Sequence, residues 1–260
     1  MAVARSSWYY RSRRQDDEVR QRLRTLAQER PRFGYRRLHV LLRRAGLVIN
    51  HKRVRRLYRE EGLALRRWRR RKRAGVLRVP MVAATRPNQR WSMDFVSEML
   101  ATGRRIRALT VIDDYTRECA VIEVDTSLPG LRVTRVLDRL AATRGLPAVI
   151  RTDNGPEFAG QALDAWAYRR GVKLEFIRPG KPVENSYVES FNGRLRDECL
   201  NGNWFLTLTE ARQALETWRT DCNGARPHSA LNNLTPEEFA SQSRAMLQTP
   251  NHAGLNSGTV

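Results

Sequence analysis

The chain has 260 residues, of which 41% are hydrophobic and 29% charged. That is enough for one large or two modest cores without disulfides or structural metals, and it excludes a chain disordered throughout. Lys and Arg number 48 against 27 Asp and Glu, a net charge of +21, which points to a polyanionic partner and not to an ordinary enzyme surface.

Cys119, Cys199 and Cys222 are three in number and far apart, so neither a disulfide framework nor a CxxC zinc knuckle is expected. No run of about 18 apolar residues occurs, and the N-terminus lacks the apolar stretch of a secretory signal. The expectation is a cytoplasmic, nucleoid-associated chain without a membrane partner.

The charge is divided unevenly. Residues 1–75 hold 25 Lys or Arg and 6 acids, whereas residues 76–260 hold 23 and 21. A tail over 1–15 precedes a basic module over 16–75. Residues 16–30 place Val19, Leu23, Leu26 and Ala27 at helical spacing, and Pro31 stops the helix. A second helix begins near Gly34, carries Leu38, Leu41, Leu42 and Ala45, and ends at Gly46. Asn50 then reads as the N-cap of a third, with Val54, Leu57 and Tyr58 inward. The tight junction between the second and third helices predicts a helix-turn-helix. Lys52, Arg53, Arg55, Arg56 and Arg59 are its candidate DNA contacts, for phosphates and guanine edges. The run Arg66, Arg67, Trp68, Arg69, Arg70 and Arg71, continued by Lys72 and Arg73, reads as a phosphate anchor without sequence specificity. Residues 76–88, with Pro80 and Pro87, read as a linker.

From Arg90 the period changes. Strands are predicted over 91–99, 106–113 and 118–125, a helix over 130–144, a strand over 148–151, a helix over 161–170, a strand over 174–177 and a helix over 186–200. The order βββαβαβα predicts an α/β domain with a mixed sheet flanked by helices, over 89–205, resembling the ribonuclease H-like fold. A helical extension and tail follow over 206–260.

Three acids stand where these elements could bring them together: Asp94 inside WSMDF, Asp153 after the fourth strand, and Glu189 early in the last helix of the domain. Two-metal phosphodiester chemistry needs hard oxygen ligands around ions about 3.5–4 Å apart and no side-chain nucleophile. Asn192, Gly193 and Arg196 share the face of Glu189 at i+3, i+4 and i+7. Asp113, Asp114, Glu157, Glu184 and Glu198 compete, so spacing by itself does not choose the triad. The four histidines and three cysteines fit no zinc-site pattern, and no GxSxG, Walker A or GxGxxG motif occurs. His39 and His51 read as surface or fold-stabilising residues.

WSMDF, RTDNGPEF and NSYVESFNGRLRDE, with 35 residues between Asp153 and Glu189, resemble the DDE integrase core shared by retroviral integrases and many insertion-sequence transposases. FGYRRLHVLLRRAGLVINHKRVRRLYREEGL, DDYTRE, PGKPVENSYVESFNGRLRDECLN and RPHSALNNLTPEEF narrow the resemblance to the second-frame (OrfB) transposases of the insertion-sequence family numbered three. The resemblance implies that Asp94, Asp153 and Glu189 are catalytic and bind two Mg²⁺ or Mn²⁺ ions. It also implies that Arg196 contacts donor DNA, with Arg194, Asn192 and Lys181 as further DNA contacts. The implied reaction is cleavage at element ends and transfer of the 3′-OH to a target phosphodiester, by a copy-out route. The implied partners are double-stranded DNA (terminal inverted repeats and target), a first-frame (OrfA) protein, fused or separate, and further copies of the chain on DNA. Cys222-Asn223 stands where Tyr-Asn is common, and Asn232-Asn233 replaces a more usual Gly-containing pair. Two alternatives remain at this point: an inactive sequence-specific repressor, and a ribonuclease H-like nuclease that only hydrolyses.

Overall fold

The computed structural model describes residues 16–65, 82–178 and 185–248. The chain divides into two compact units, 1–74 and 75–260.

In the first unit, three helices, α1 (Asp17–Glu29), α2 (Tyr35–Arg44) and α3 (His51–Glu60), enclose one core. Leu23, Leu38, Leu42, Val54 and Leu57 are fully buried in it, with Phe33 beside them. The turn after α2 closes because Gly46 takes φ +87°, letting Leu47 N donate to Leu42 O at 3.0 Å; a side chain there would be strained. Asn50 caps α3, its side-chain oxygen accepting from Lys52 N at 2.8 Å. His39 is fold-stabilising: its Nε2 lies 2.7 Å from Ile49 O, in the junction between α2 and α3.

The second unit is built on a five-stranded sheet in the order β3-β2-β1-β4-β5. Its strands are β1 (Arg90–Met99), β2 (Arg105–Asp113), β3 (Cys119–Asp125), β4 (Val149–Thr152) and β5 (Lys173–Phe176). β1, β2 and β3 form an antiparallel meander, and β4 and β5 run parallel to β1. The helices are α4 (Gly130–Arg144), α5 (Gln161–Arg170), α6 (Ser186–Glu198), α7 (Leu208–Gly224) and α8 (Pro236–Gln248). The element order and the mixed sheet are those expected from the sequence. Ends differ by one or two residues, and α6 stops at Glu198, before a 3-10 turn over Leu200–Gly202.

Each face of the sheet carries its own core. Trp91, Met93, Leu109, Val111 and Ile150 pack on one side with Val133, Val136, Leu137 and Leu140 of α4 and Leu163 and Trp166 of α5. Val96, Ile106, Ala108, Ile112, Ile122 and Val124 pack on the other with Val188, Phe191 and Leu195 of α6 and Ala211, Leu215 and Cys222 of α7. Burial on both faces shows most plainly in β2, where Ala108 to Asp113 are all buried. Side chains still alternate between faces, so Asp94, in phase with Val96, points to the face that α6 covers.

The two departures from the family pattern are accommodated. Asn223 Oδ1 accepts from Cys119 N and its Nδ2 donates to Cys119 O, both at 2.9 Å, pinning the start of β3 where its register with β2 shifts. Cys222 is buried in the core, as are Cys119 and Cys199. Asn232 and Asn233 take φ +54° and +67°, a conformation that Asn tolerates better than other non-glycine residues. Among the described residues no helix is long and apolar enough to cross a membrane.

Candidate active site

β1 and β4 pair from Arg90↔Val149 to Ser92↔Arg151 and then part. Two residues beyond the last pair on each strand stand Asp94 and Asp153, at the point where the sheet changes from antiparallel to parallel neighbours. Crevices at such a reversal, beside the carboxyl ends of parallel strands, are where open α/β sheets bind ligands. α6 crosses this place with Val188, Phe191 and Leu195 inward, which leaves Glu189 exposed one residue after Val188.

Asp94 is half-buried. Its Oδ1 accepts from Phe95 N at 2.7 Å and its Oδ2 from Asn192 Nδ2 at 2.9 Å. Burial pushes its carboxyl above the usual range, and repulsion from Asp153 adds to that, while the two hydrogen bonds and the charge of Arg196 pull the other way. Burial, and then repulsion from Asp94, push Glu189 up as well. Asp153 Oδ1 accepts from Gly155 N at 3.1 Å, and a Cβ on Gly155 would lie 3.1 Å from that same oxygen, so the tight turn after Asp153 favours glycine. The loop is braced further: Asn154 Nδ2 donates to Ile177 O at 3.0 Å, Phe158 stacks on Phe95 at 4.7 Å, and Glu157 pairs with Arg107, whose guanidinium lies 4.2 Å over Phe95.

The competing acids have other work. Asp114, 1% exposed, pairs with Arg90 at 2.5 Å and accepts from Ser92 Oγ at 2.7 Å. Asp113, fully buried, accepts from the backbone N–H groups of Asn88, Tyr115 and Thr116 at 2.7, 2.8 and 3.1 Å. Glu198 pairs with the buried Arg226, and Glu184 lies outside the described residues. Among the described residues, Asp94, Asp153 and Glu189 have no ion-pair partner within 4.0 Å. No group of three or more His, Cys, Asp or Glu there is gathered closely enough to hold an ion. Like-charged carboxylates repel one another, whereas their oxygens are the hard donors that Mg²⁺ or Mn²⁺ takes.

Of the expected DNA contacts around this site, Arg196 is exposed, its Nη2 donating to Ser97 O at 3.3 Å. Arg194 is half-buried, donates to Ser190 Oγ at 3.0 Å and lies 3.4 Å from His228 Nε2. Asn192, expected on the face of Glu189 as a DNA contact, is 6% exposed, its Nδ2 donating to Asp94 Oδ2 at 2.9 Å and its Oδ1 accepting from Thr110 Oγ1 at 2.9 Å. Lys181 lies outside the described residues, as do Arg66, Arg67, Trp68, Arg69, Arg70 and Arg71.

In the first unit the five α3 cations divide. Arg53 and Arg56 turn to Asp16; burial pushes its carboxyl up, but their hydrogen bonds and then their charges outweigh that and hold it below the usual carboxylate range. Lys52, Arg55 and Arg59 are exposed, and with Tyr35, His51, Arg56 and Glu60 they line an open groove of about 470 Å³. Sequence reasoning missed Tyr35, over which Arg55 lies at 5.9 Å; the GYRR word that opens α2 was its signal. It also missed Thr110, whose signal was a lone polar residue in the apolar run of β2.

Comparison with known proteins agrees with this architecture. Family models for an integrase core domain match residues 84–182 and 170–236, and one for a helix-turn-helix-like domain matches 14–73. The chain is 52% identical over 254 residues to a 31.7 kDa protein of insertion element IS407 from Burkholderia multivorans, covering 96% of this chain and 91% of that one. It is 47% identical to a 39.2 kDa protein of insertion element IS476 from Xanthomonas euvesicatoria, over 91% and 68% of the two chains. It is 28% identical to the transposase InsF for insertion sequence IS3A from Escherichia coli, over 94% and 93%. A chain of the simian T-cell lymphotropic virus intasome, solved with a PP2A regulatory subunit, superposes with a TM-score of 0.57 at 15% identity, over 91% of this chain and 78% of that one. That last likeness is one of fold, the ribonuclease H-like fold of integrase cores. On the identity and coverage of its relatives, the chain belongs to the insertion-sequence transposases that carry an integrase core behind a helix-turn-helix-like domain, and its function is DNA transposition.

Proposed function

We propose that this transposase works through Asp94, Asp153 and Glu189 as ligands for two divalent ions, Mg²⁺ or Mn²⁺, cutting a strand at the element end and joining the freed 3′-OH to a target phosphodiester. The observation that carries the reading is the division of the acids: Asp114, Glu157 and Glu198 are paired with Arg and Asp113 is buried against three backbone N–H groups, whereas Asp94, Asp153 and Glu189, where the sheet opens, have no ion-pair partner among the described residues. Ions held there would supply Lewis-acid activation of the attacking oxygen and stabilise the leaving one. Asp94, on β1, is held by donors on both oxygens, and Asp153, one residue past β4, by its own turn. Glu189 approaches from the exposed face of α6, the side open to DNA. Arg196, two turns along the same helix, is placed to hold a phosphate against them. Lys52, Arg55 and Arg59, with Tyr35 and His51, form the DNA face of the first unit, and residues 66–71 and Lys181 add phosphate contacts. The partners are the terminal repeats and target DNA, further copies of the chain on that DNA, and a first-frame protein.

Labelled element-end DNA incubated with the protein and Mg²⁺ tests this, with nicks and joined products scored separately. Both products are expected from the parental protein and neither from Glu189→Gln. Nicks without joining would mean a hydrolytic nuclease, and binding without either product a repressor.

A further inference from the structure

The carboxylate of Asp94 does not hold itself in place, because an aspartate has two free torsions and only one of its oxygens is fixed by its own strand. The other is fixed by Asn192, and the amide of Asn192 can face either way. Its nitrogen turned to Asp94 is a donor to a carboxylate; its oxygen turned there would set two acceptors against each other. The carboxylate, which only accepts, therefore selects the nitrogen, and the group on the far side supports that choice if it gives a proton to the amide oxygen. Thr110 stands directly across the β1–β2 ladder from Asp94. It is fully buried, and its Oγ1 lies 2.9 Å from Asn192 Oδ1 and 3.1 Å from Asp94 O. A hydroxyl has one proton to give. Given to Asn192 Oδ1, it leaves the amide nitrogen turned toward Asp94 Oδ2, completing a directed chain from Thr110 through Asn192 to Asp94.

We infer that Thr110 is a positioning residue of the active site: its hydroxyl holds the Asn192 amide in the orientation that the Asp94 carboxylate selects, and the held amide in turn aims that carboxylate for metal. The inference rests on the proposed metal-binding role of Asp94. Thr110 touches neither DNA nor the reacting atoms, so its effect is read in metal affinity. Groups standing behind metal ligands typically change affinity or activity about 10- to 100-fold when removed.

The test is Mn²⁺ binding to the full-length protein without DNA, followed by the loss of the free-ion spin-resonance signal, for the parental protein, Thr110→Val, Thr110→Ser, Asn192→Ala and the Thr110→Val, Asn192→Ala double variant. Valine keeps the shape of threonine and removes the hydroxyl, and is expected to weaken Mn²⁺ binding about 10-fold or more. Serine keeps the hydroxyl and is expected to bind close to the parental level. Asn192→Ala should weaken binding by itself, and adding Thr110→Val should then cost little more, because a hydroxyl whose proton goes to Asn192 Oδ1 acts on the carboxylate through the amide. If Thr110→Val does not fold, Thr110→Ala with the serine variant makes the same comparison. Parental affinity in Thr110→Val, equal weakening in Thr110→Ser, or full additivity in the double variant would overturn the inference. Asp94→Asn run alongside separates the two levels: if it binds Mn²⁺ as the parental protein does, the metal-ligand reading of Asp94 fails first.

Discussion

Neutralising Asp114 and neutralising Asp94 are expected to move stability in opposite directions, although each substitution is Asp to Asn in the same unit. Asp114 is enclosed, faces an Arg90 that is itself 8% exposed, and takes the hydroxyl proton of Ser92. Removing its charge strands a buried guanidinium, and breaking such a pair costs about 3–5 kcal/mol. Asparagine keeps an oxygen for one partner, which puts Asp114→Asn near the lower figure. In a unit of this size about 1 kcal/mol moves the midpoint by roughly 2–4 °C, so its Tm should fall by about 6–12 °C. Asp94 has no cation partner among the described residues, and burial together with Asp153 makes its ionised form unfavourable. Asp94→Asn should therefore melt at or above the parental temperature in metal-free buffer at neutral pH, while strand cleavage is lost. Calorimetry without metal, paired with the cleavage assay, checks both. A parental Tm for Asp114→Asn, or a comparable fall for Asp94→Asn, would refute the division into structural and catalytic acids.

The same reasoning fixes a pH dependence. Asp94 titrates above its ordinary 3.8 in the folded protein, so the native state binds that proton more tightly than the unfolded chain and loses stability as pH rises through the raised value. The Tm advantage of Asp94→Asn should vanish below about pH 4 and grow through the weakly acidic range in metal-free melts. In DNA-binding titrations, Arg55→Ala should weaken affinity and flatten the salt dependence by about one unit of slope. Arg56→Ala should act mainly by leaving Asp16 less neutralised, lowering the melting temperature of the first unit more than its affinity for DNA. Arg196→Ala is expected to retain cleavage that recovers in part at higher DNA concentration, because it removes a phosphate contact and spares the ligands; chemistry abolished at saturating DNA would contradict this. Gly145 takes φ +81° and ψ 175°, a region nearly reserved to glycine, so Gly145→Ala should cost about 1–3 kcal/mol in chemical denaturation.

Much of this was determined by the sequence alone, because it is local. Helix periods such as Val19-Leu23-Leu26, the cap at Asn50 and the glycine at 46 depend on neighbours within a turn or two of chain, and they place the three helices of the first unit. The order of strands and helices after Arg90 follows from the same kind of signal, and so do the words around Asp94, Asp153 and Glu189. What distinguishes Asp94 from Asp114, twenty residues away and equally acidic, is not local. It is decided by which face of β1 each neighbour meets, by Arg90 lying beside one carboxylate and Asn192, 98 residues on, beside the other. Arg53 and Arg56 look the same as Arg55 and Arg59 along α3 until folding brings Asp16 against one side of the helix. Thr110 was a polar residue in an apolar strand, and only pairing β2 with β1 and laying α6 across them gave its hydroxyl an amide to hold. Charge and hydrogen bonding act through space over a few ångströms, so the partner that settles a side chain's role can be supplied by any part of the chain, and only the tertiary structure names it.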